Sequence, residues 1–215
     1  MTETAPSAAD GTEERGRPAS AVGASRAYAW TLIVSAAAGL LAAWVITLDK
    51  FKILEAQVAG ETFTPACSLN PVVSCGSVMQ SAQAGVFGFP NPMLGLATYA
   101  SVLTIGVAAL AGARFRPWFW RGLLGGTFLG VAFCTWLMYQ SLYNINALCL
   151  WCCLAWVGTL VMFWYTLAHT LRHRMVPAPS GLRSFVLEFP WVLPVVHVGI
   201  IGMLILTRWW DFWLG

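Results

Sequence analysis

Six cysteines, Cys67, Cys75, Cys134, Cys149, Cys152 and Cys153, carry the most reactive chemistry in this 215-residue chain. Cys149-Leu150-Trp151-Cys152 separates two thiols by one helical turn, close enough to bridge across a helix start. Unpaired amides and the positive end of such a helix favour thiolate on its first cysteine. Cys67 and Cys75 lie in a segment with Asn70-Pro71 and Ser74-Cys75-Gly76, flexible enough to open or close a disulfide. Two such pairs suit a relay in which Cys75 exchanges with the helix pair and Cys67 with a soluble dithiol. A static staple at Cys67 and Cys75 is one competing use. Zinc held by four thiolates is another, although no His or carboxylate sits beside either pair. Cys134 falls in mid-span and reads as a small packing residue. Cys153 projects about 100° round the helix from Cys152 and faces another surface.

The elements that position these thiols follow from the charge distribution. The chain is 58% hydrophobic and 10% charged, against about a quarter charged for a soluble domain, so most of its surface faces something other than water. Charge-free stretches predict spans near 28–48, 93–112, 122–142, 148–168 and 190–207. The polar run Tyr143-Asn144-Ile145-Asn146 predicts a tight turn between the third and fourth. The result is an all-α integral membrane protein. The first span starts late and lacks a good cleavage site, which favours a retained helix over a signal peptide.

The twelve Lys and Arg residues split unevenly between the two sides. Arg15, Arg17, Arg26, Arg114, Arg116, Arg121, Arg172, Arg174 and Arg183 fall on one side; Lys50, Lys52 and Arg208 fall on the other. The richer side is cytoplasmic, placing the N-terminus inside, the C-terminus outside and four cysteines at the outer, oxidising face. The net charge of +3 is thus a topology signal and not a nucleic-acid footprint.

Residues 1–25 read as a disordered cytoplasmic tail, and residues 49–92 as the external loop, with a short helix within Ser77 to Ala84. Gly85 to Pro92 is apolar and aromatic and is expected to lie over the bundle as a lid. Residues 171–215 form a cytoplasmic connection and the last span. Gly and Ala positions in the spans let helices approach closely, and Trp residues at span ends read as interfacial anchors. His197 in the last span reads as structural, and His169 and His173 as solvated at the cytoplasmic boundary.

Closing a dithiol releases two electrons and two protons, and the chain carries no flavin, nucleotide or haem motif. A pair opening toward a bilayer pocket can instead pass electrons to a lipid-soluble quinone, and Cys152, one turn deeper than Cys149, is the better placed of the two to meet it. Ser81 and Asn91 are the leading candidates to hold its carbonyls, with Tyr139, Tyr143, Trp151 and Trp156 as candidate walls.

The combination resembles the vitamin K epoxide reductase family, particularly bacterial members that form disulfides. Carrying the resemblance are the seven residues between Cys67 and Cys75, Ser81 six after Cys75, the Phe87 to Pro92 run, and Cys149-Leu-Trp-Cys152 opening a helix. The resemblance spans about residues 28–170, with a catalytic bundle expected over 26–170. It implies a four-helix transmembrane bundle around a quinone of menaquinone or ubiquinone type, a fifth helix, and a cap bearing a short horizontal helix. It implies that Cys67 accepts electrons from a secreted or membrane-anchored thioredoxin-like protein and that Cys75 exchanges with Cys149. Cys152 then meets the quinone, and Ser81 and Asn91 help bind it. Such relatives sit in the bacterial inner membrane. Many fuse the thioredoxin-like domain after the last helix; this chain stops at Gly215, so the partner is expected to be a separate polypeptide. Animal members carry Thr-Tyr where Ala155 and Trp156 stand, which makes a vitamin K epoxide reductase the second reading. A non-catalytic scaffold or zinc-binding protein is the alternative from another class.

Overall fold

The structure, a computed structural model, describes residues 20–215. Residues 1–19 of the segment read as a tail lie outside the described residues. Its end is structured: Val22–Gly23 (β1) pairs antiparallel with Arg114–Phe115 (β2), and the Trp120 indole donates to the Val22 carbonyl at 3.1 Å.

Helix α1, Arg26–Ala59, starts where Ser25 caps the Tyr28 amide at 3.2 Å. It ends only at Gly60, whose φ of 74° closes the last turn. Its 34 residues rise roughly 51 Å, well beyond a hydrocarbon core of about 30 Å. The helix thus runs past residue 48, where the expected span ends. Asp49, Lys50, Lys52 and Glu55 end the apolar run, but Lys, Glu, Leu, Ala and Gln are good helix formers once in water. Of the segment 49–92 read as a loop, residues 49–59 are helical and the irregular connection starts at Gly60.

That loop folds as α2, Cys75–Gln80, followed by a 3₁₀ turn over Ala82–Gly85. The short helix thus begins two residues before the expected Ser77 and breaks at Ser81. Lys50 of α1 donates to the Met79 carbonyl at 2.8 Å, holding the end of α2 against the protruding part of α1.

Three further long helices complete the bundle: α3, Asn91–Leu110; α4, Pro117–Tyr139; and α5, Leu150–Arg172. Each of the four is long and apolar enough to cross a bilayer. A bent pair, α6 (Ser180–Glu188) and α7 (Val192–Arg208), adds a fifth span when counted as one broken crossing; the bend is 81°. A short helix α8, Trp210–Leu214, follows. Large apolar side chains such as Trp30, Val34, Trp44, Leu129 and Met203 are exposed, as expected of a surface that meets lipid. The chain is a multi-pass membrane protein.

The turn expected at Tyr143 to Asn146 is displaced. Helix α4 continues as a π-helical segment over Gln140–Ile145, and the chain reverses at Asn146, whose φ is 55°. Asn tolerates that left-handed conformation better than most residues.

Helix α1 packs between α3 and α5, α4 lies against α5, and α7 lies against the far side of α5. Two glycines make this spacing possible. A Cβ on Gly39 would meet the Tyr99 ring at 2.4 Å, and one on Gly158 would meet the Ser35 carbonyl oxygen at 2.9 Å. The α4 glycines behave differently: Gly122 and Gly126 face open space and line the central cavity. They make room instead of bringing helices together.

His169, expected to be solvated, is buried at the base of the bundle. It stacks on Tyr28 with ring centroids 4.6 Å apart and lies 4.5 Å from Trp120. His173 is exposed. His197 accepts a hydrogen bond from the Trp164 indole at 3.4 Å, a structural contact.

Candidate active site

One end of the bundle gathers four sulfurs. Asn70 shapes the loop: its Oδ1 accepts the amides of Val72 and Val73 at 3.0 and 2.6 Å, a side-chain turn suited to Asn-Pro. Val73 then forms a parallel bridge with Leu148. The Leu148 amide donates to the Val72 carbonyl at 2.7 Å, and the Ser74 amide to the Leu148 carbonyl at 3.0 Å. One residue beyond this clasp on each chain stand the helix starts: Ser74 caps α2, whose first residue is Cys75, and Cys149 caps α5.

Cys67 and Cys75 are joined by a disulfide, whereas Cys149 and Cys152 are free thiols. Cys75 and Cys149 are each 0% exposed and share one buried cluster with Cys67, Ile46, Ile53 and Met79; Cys152 and Trp151 pack against it. Two of the four sulfurs a zinc site would need are therefore bonded to each other.

The Cys149 sulfur accepts the Cys152 amide at 3.4 Å. That amide, at the first turn of α5, points its N–H at the Cys149 sulfur, where it favours negative charge. The first cysteine of the pair is thus the one biased towards thiolate, as a helix start favours.

Below the clasp lies a cavity of about 820 Å³ bounded by α1, α3, α4 and α5 and roofed by α2 and the 3₁₀ turn. Cys152 is in its wall and Cys149 is not among its lining residues. Ser81 and Asn91 line it, as does Phe87 of the expected lid. Ser81 donates to the Val78 carbonyl at 2.7 Å. The Asn91 amide group donates to the Gln83 carbonyl at 2.7 Å, and that acceptor fixes which way the amide faces. Asn91 Oδ1 is left buried without a partner.

Of the aromatics expected in the wall, Trp156 lines the cavity and is 5% exposed. Trp151 does not; it packs beside the loop cysteines. Tyr139 and Tyr143 are exposed, pack against each other with tilted rings 5.1 Å apart, and lie off the cavity face. Sequence reasoning missed Tyr99 and Thr159. Both line the cavity, their hydroxyls 2.7 Å apart, and the Tyr99 hydroxyl also reaches the Ala155 carbonyl at 3.2 Å. Cys134 lines the cavity as well and donates weakly to Thr159 at 3.8 Å. The available signal was spacing: Asn91, Gly95 and Tyr99 recur every fourth residue and share one face of α3. Cys153 faces away, packing towards Ile201 and Ile205 of α7.

The sequence model of the vitamin K epoxide reductase family matches residues 30–167. The chain belongs to that family. Comparison with curated proteins gives no match. Membership together with the two cysteine pairs is consistent with a thiol oxidoreductase, and it implies a quinone cofactor and a redox partner in general terms. The match covers most of the four-helix bundle and the connection between α1 and α3, and ends within α5 before α6 and α7.

The cavity fits such a ring. It is largely apolar, of the size that small ligands occupy, and holds an orphaned acceptor in Asn91 Oδ1. A buried acceptor without a donor is costly; a ring hydroxyl of the reduced cofactor would satisfy it. Asn91→Ala is expected to weaken binding of the reduced ring by about tenfold, the worth of one buried hydrogen bond, with a smaller effect on the oxidised ring, whose carbonyls cannot donate to Oδ1. Product inhibition by added quinol, compared between the variant and the parent, checks this.

Proposed function

We propose that this protein is a quinone-dependent thiol oxidoreductase that oxidises a thioredoxin-like partner and so supports disulfide formation in secreted proteins of a bacterial cell. The reading is carried by one observation: Cys75 and Cys149 are buried in a single cluster behind the Val72–Ser74/Leu148 clasp, with Cys152 in the adjoining cavity wall.

The chemistry follows from thiol–disulfide exchange. A partner thiolate attacks the Cys67 sulfur, forming a mixed disulfide and releasing Cys75 as thiolate. The second partner thiol resolves it, leaving the partner oxidised and the loop pair reduced. Cys75 thiolate next attacks Cys149 in the closed Cys149–Cys152 bond, expelling the Cys152 thiolate. Cys67 resolves that bond, restoring Cys67–Cys75 and leaving Cys149 and Cys152 reduced. The described state, with the loop pair bonded and the helix pair free, corresponds to this point of the cycle. A bound quinone supplies the sink for the two electrons and two protons released when the helix pair closes again. Ser81 and Asn91 orient the ring edge, and Trp156 and Phe87 exclude water. The asymmetry of Lys and Arg supports a cytoplasmic N-terminus and cysteines on the outer side.

Protein reconstituted in lipid with menaquinone or ubiquinone, and supplied with a reduced thioredoxin-like protein, is expected to consume partner dithiol and quinone one for one. Thiol labelling should show both cysteine pairs cycling. Oxidation of the partner without quinone consumption, or with the Cys149/Cys152 pair unchanged throughout, would count against the assignment.

A further inference from the structure

The fifth span reaches back to the turn that carries Cys149. Arg208, the last residue of α7, donates from Nε to the Leu142 carbonyl at 2.9 Å, and its Nη2 donates to Asn146 Oδ1. The Leu142 carbonyl depends on it. Leu142 is fully buried in the last turn of the extended α4, where helix carbonyls lack successors to bond. The amides of Asn146 and Ala147 both go to the Ser141 carbonyl instead. Asn146, with φ of 55°, turns the chain in the left-handed region, which Asn enters more readily than most residues, and its side chain is tied to Arg208 as it does so.

From Asn146 the chain has three residues to reach Cys149. The Ala147 carbonyl accepts the Ser141 hydroxyl, Leu148 bridges to the external loop, and Cys149 caps α5. The cysteine-bearing turn is thus held from the loop side by the clasp and from the opposite side by Arg208. Helix α7 lies beyond the residues the family model matches, so this grip belongs to the part of the chain outside the matched bundle.

We propose that Arg208 is a positioning residue that sets the approach of Cys149 to Cys75 and thereby the rate of electron transfer between the two pairs. The inference rests on the relay proposed above. Arg suits the task because its planar fork serves two acceptors at once. Loss of that fork frees Asn146 to relax, and displacement of a reacting atom by about 1 Å can slow a reaction by up to about a hundredfold.

The test uses the full chain in lipid with Cys67→Ala and Cys152→Ala, which leaves Cys75 and Cys149 to pair. Oxidised glutathione is the electron acceptor: as the Cys75–Cys149 bond closes, it takes two electrons and two protons and becomes two thiols. Peptide mass spectrometry follows the bond. Arg208→Gln is expected to slow closure about tenfold without lowering the thermal midpoint, and Arg208→Lys, which keeps the charge and one reach, to recover part of the loss. Asn146→Gly accepts the left-handed φ but removes one Arg208 acceptor. It is expected to slow closure about threefold, and it carries the test if Arg208→Gln fails to insert. Closure at the parent rate in Arg208→Gln or Asn146→Gly overturns the inference. So does slowing matched by a lowered thermal midpoint in both, since Arg208 is then a strut. A parent background that never forms the Cys75–Cys149 bond overturns the relay itself, a different result from a parent that closes and variants that match it.

Discussion

Replacing Cys152 with Ala is expected to lower quinone reduction by about a thousandfold or more, whichever dithiol donates, because it removes a reacting atom and not merely a contact. Of the helix pair, only Cys152 lines the cavity. Cys149 is wholly buried behind it, against the loop cysteines, and has no route to the ring that bypasses its neighbour. Cys134 also lines the cavity but is no substitute. It bonds to Thr159, seven residues or roughly 10 Å further along α5 than Cys152, too far for it to close a disulfide with Cys149. Absorbance of quinol formed under a membrane-permeant dithiol, and then under the reduced partner protein, gives the two rates. Full activity with either donor would refute the role given to Cys152.

The spans were legible because a bilayer imposes one simple condition, an absence of Asp, Glu, Lys and Arg over about twenty residues. Where that condition and helix formation part company, the sequence misleads. Asp49 to Lys52 ends the apolar stretch yet not α1, since a helix needs no lipid once Lys and Glu replace Leu; only Gly60 stops it. The polar run at 143–146 looked like a turn by composition. Helical geometry instead persists to Ile145, with the Leu142 carbonyl and Asn146 held by Arg208 from more than sixty residues away in sequence. No local pattern encodes that contact. His169 likewise follows the charge of its neighbours on paper, whereas the ring stack with Tyr28 and Trp120 comes from three separate helices.

For the site, thiol spacing was informative because a disulfide and a helix turn have fixed dimensions. The aromatics were not sorted, and helical phase explains why. Trp156 and Thr159 follow Cys152 by four and seven residues and so share its face, while Trp151 is its neighbour and points elsewhere. On α4 the cavity residues are 122, 123, 126, 127, 129, 130, 133, 134 and 137, a face that leaves out Tyr139. Tyr99 was overlooked because a tyrosine in an apolar span reads as packing; its hydroxyl becomes informative only when Thr159 and Ala155 are seen opposite.

Replacing Cys67 with Ala should separate the two donors. Turnover with the protein partner is expected to fall by about a hundredfold or more, whereas turnover with a small membrane-permeant dithiol falls by only about threefold. The reason is access. Cys75 and Cys149 are 0% exposed and Cys67 is 9% exposed, so a folded protein thiol finds its only partly open sulfur among the three at Cys67. Close by, Leu69 is exposed at 67%, offering apolar surface beside the point of attack. A small dithiol needs no such docking, because the cavity gives it a path to the Cys152 side of the helix pair. With Cys67 gone, Cys75 also loses the partner that resolves its bond to Cys149, so that mixed disulfide should accumulate under the protein donor. Non-reducing peptide mapping during turnover would detect it. Equal losses with both donors would instead make Cys67–Cys75 a staple, its bond needed to hold the loop and not to pass electrons.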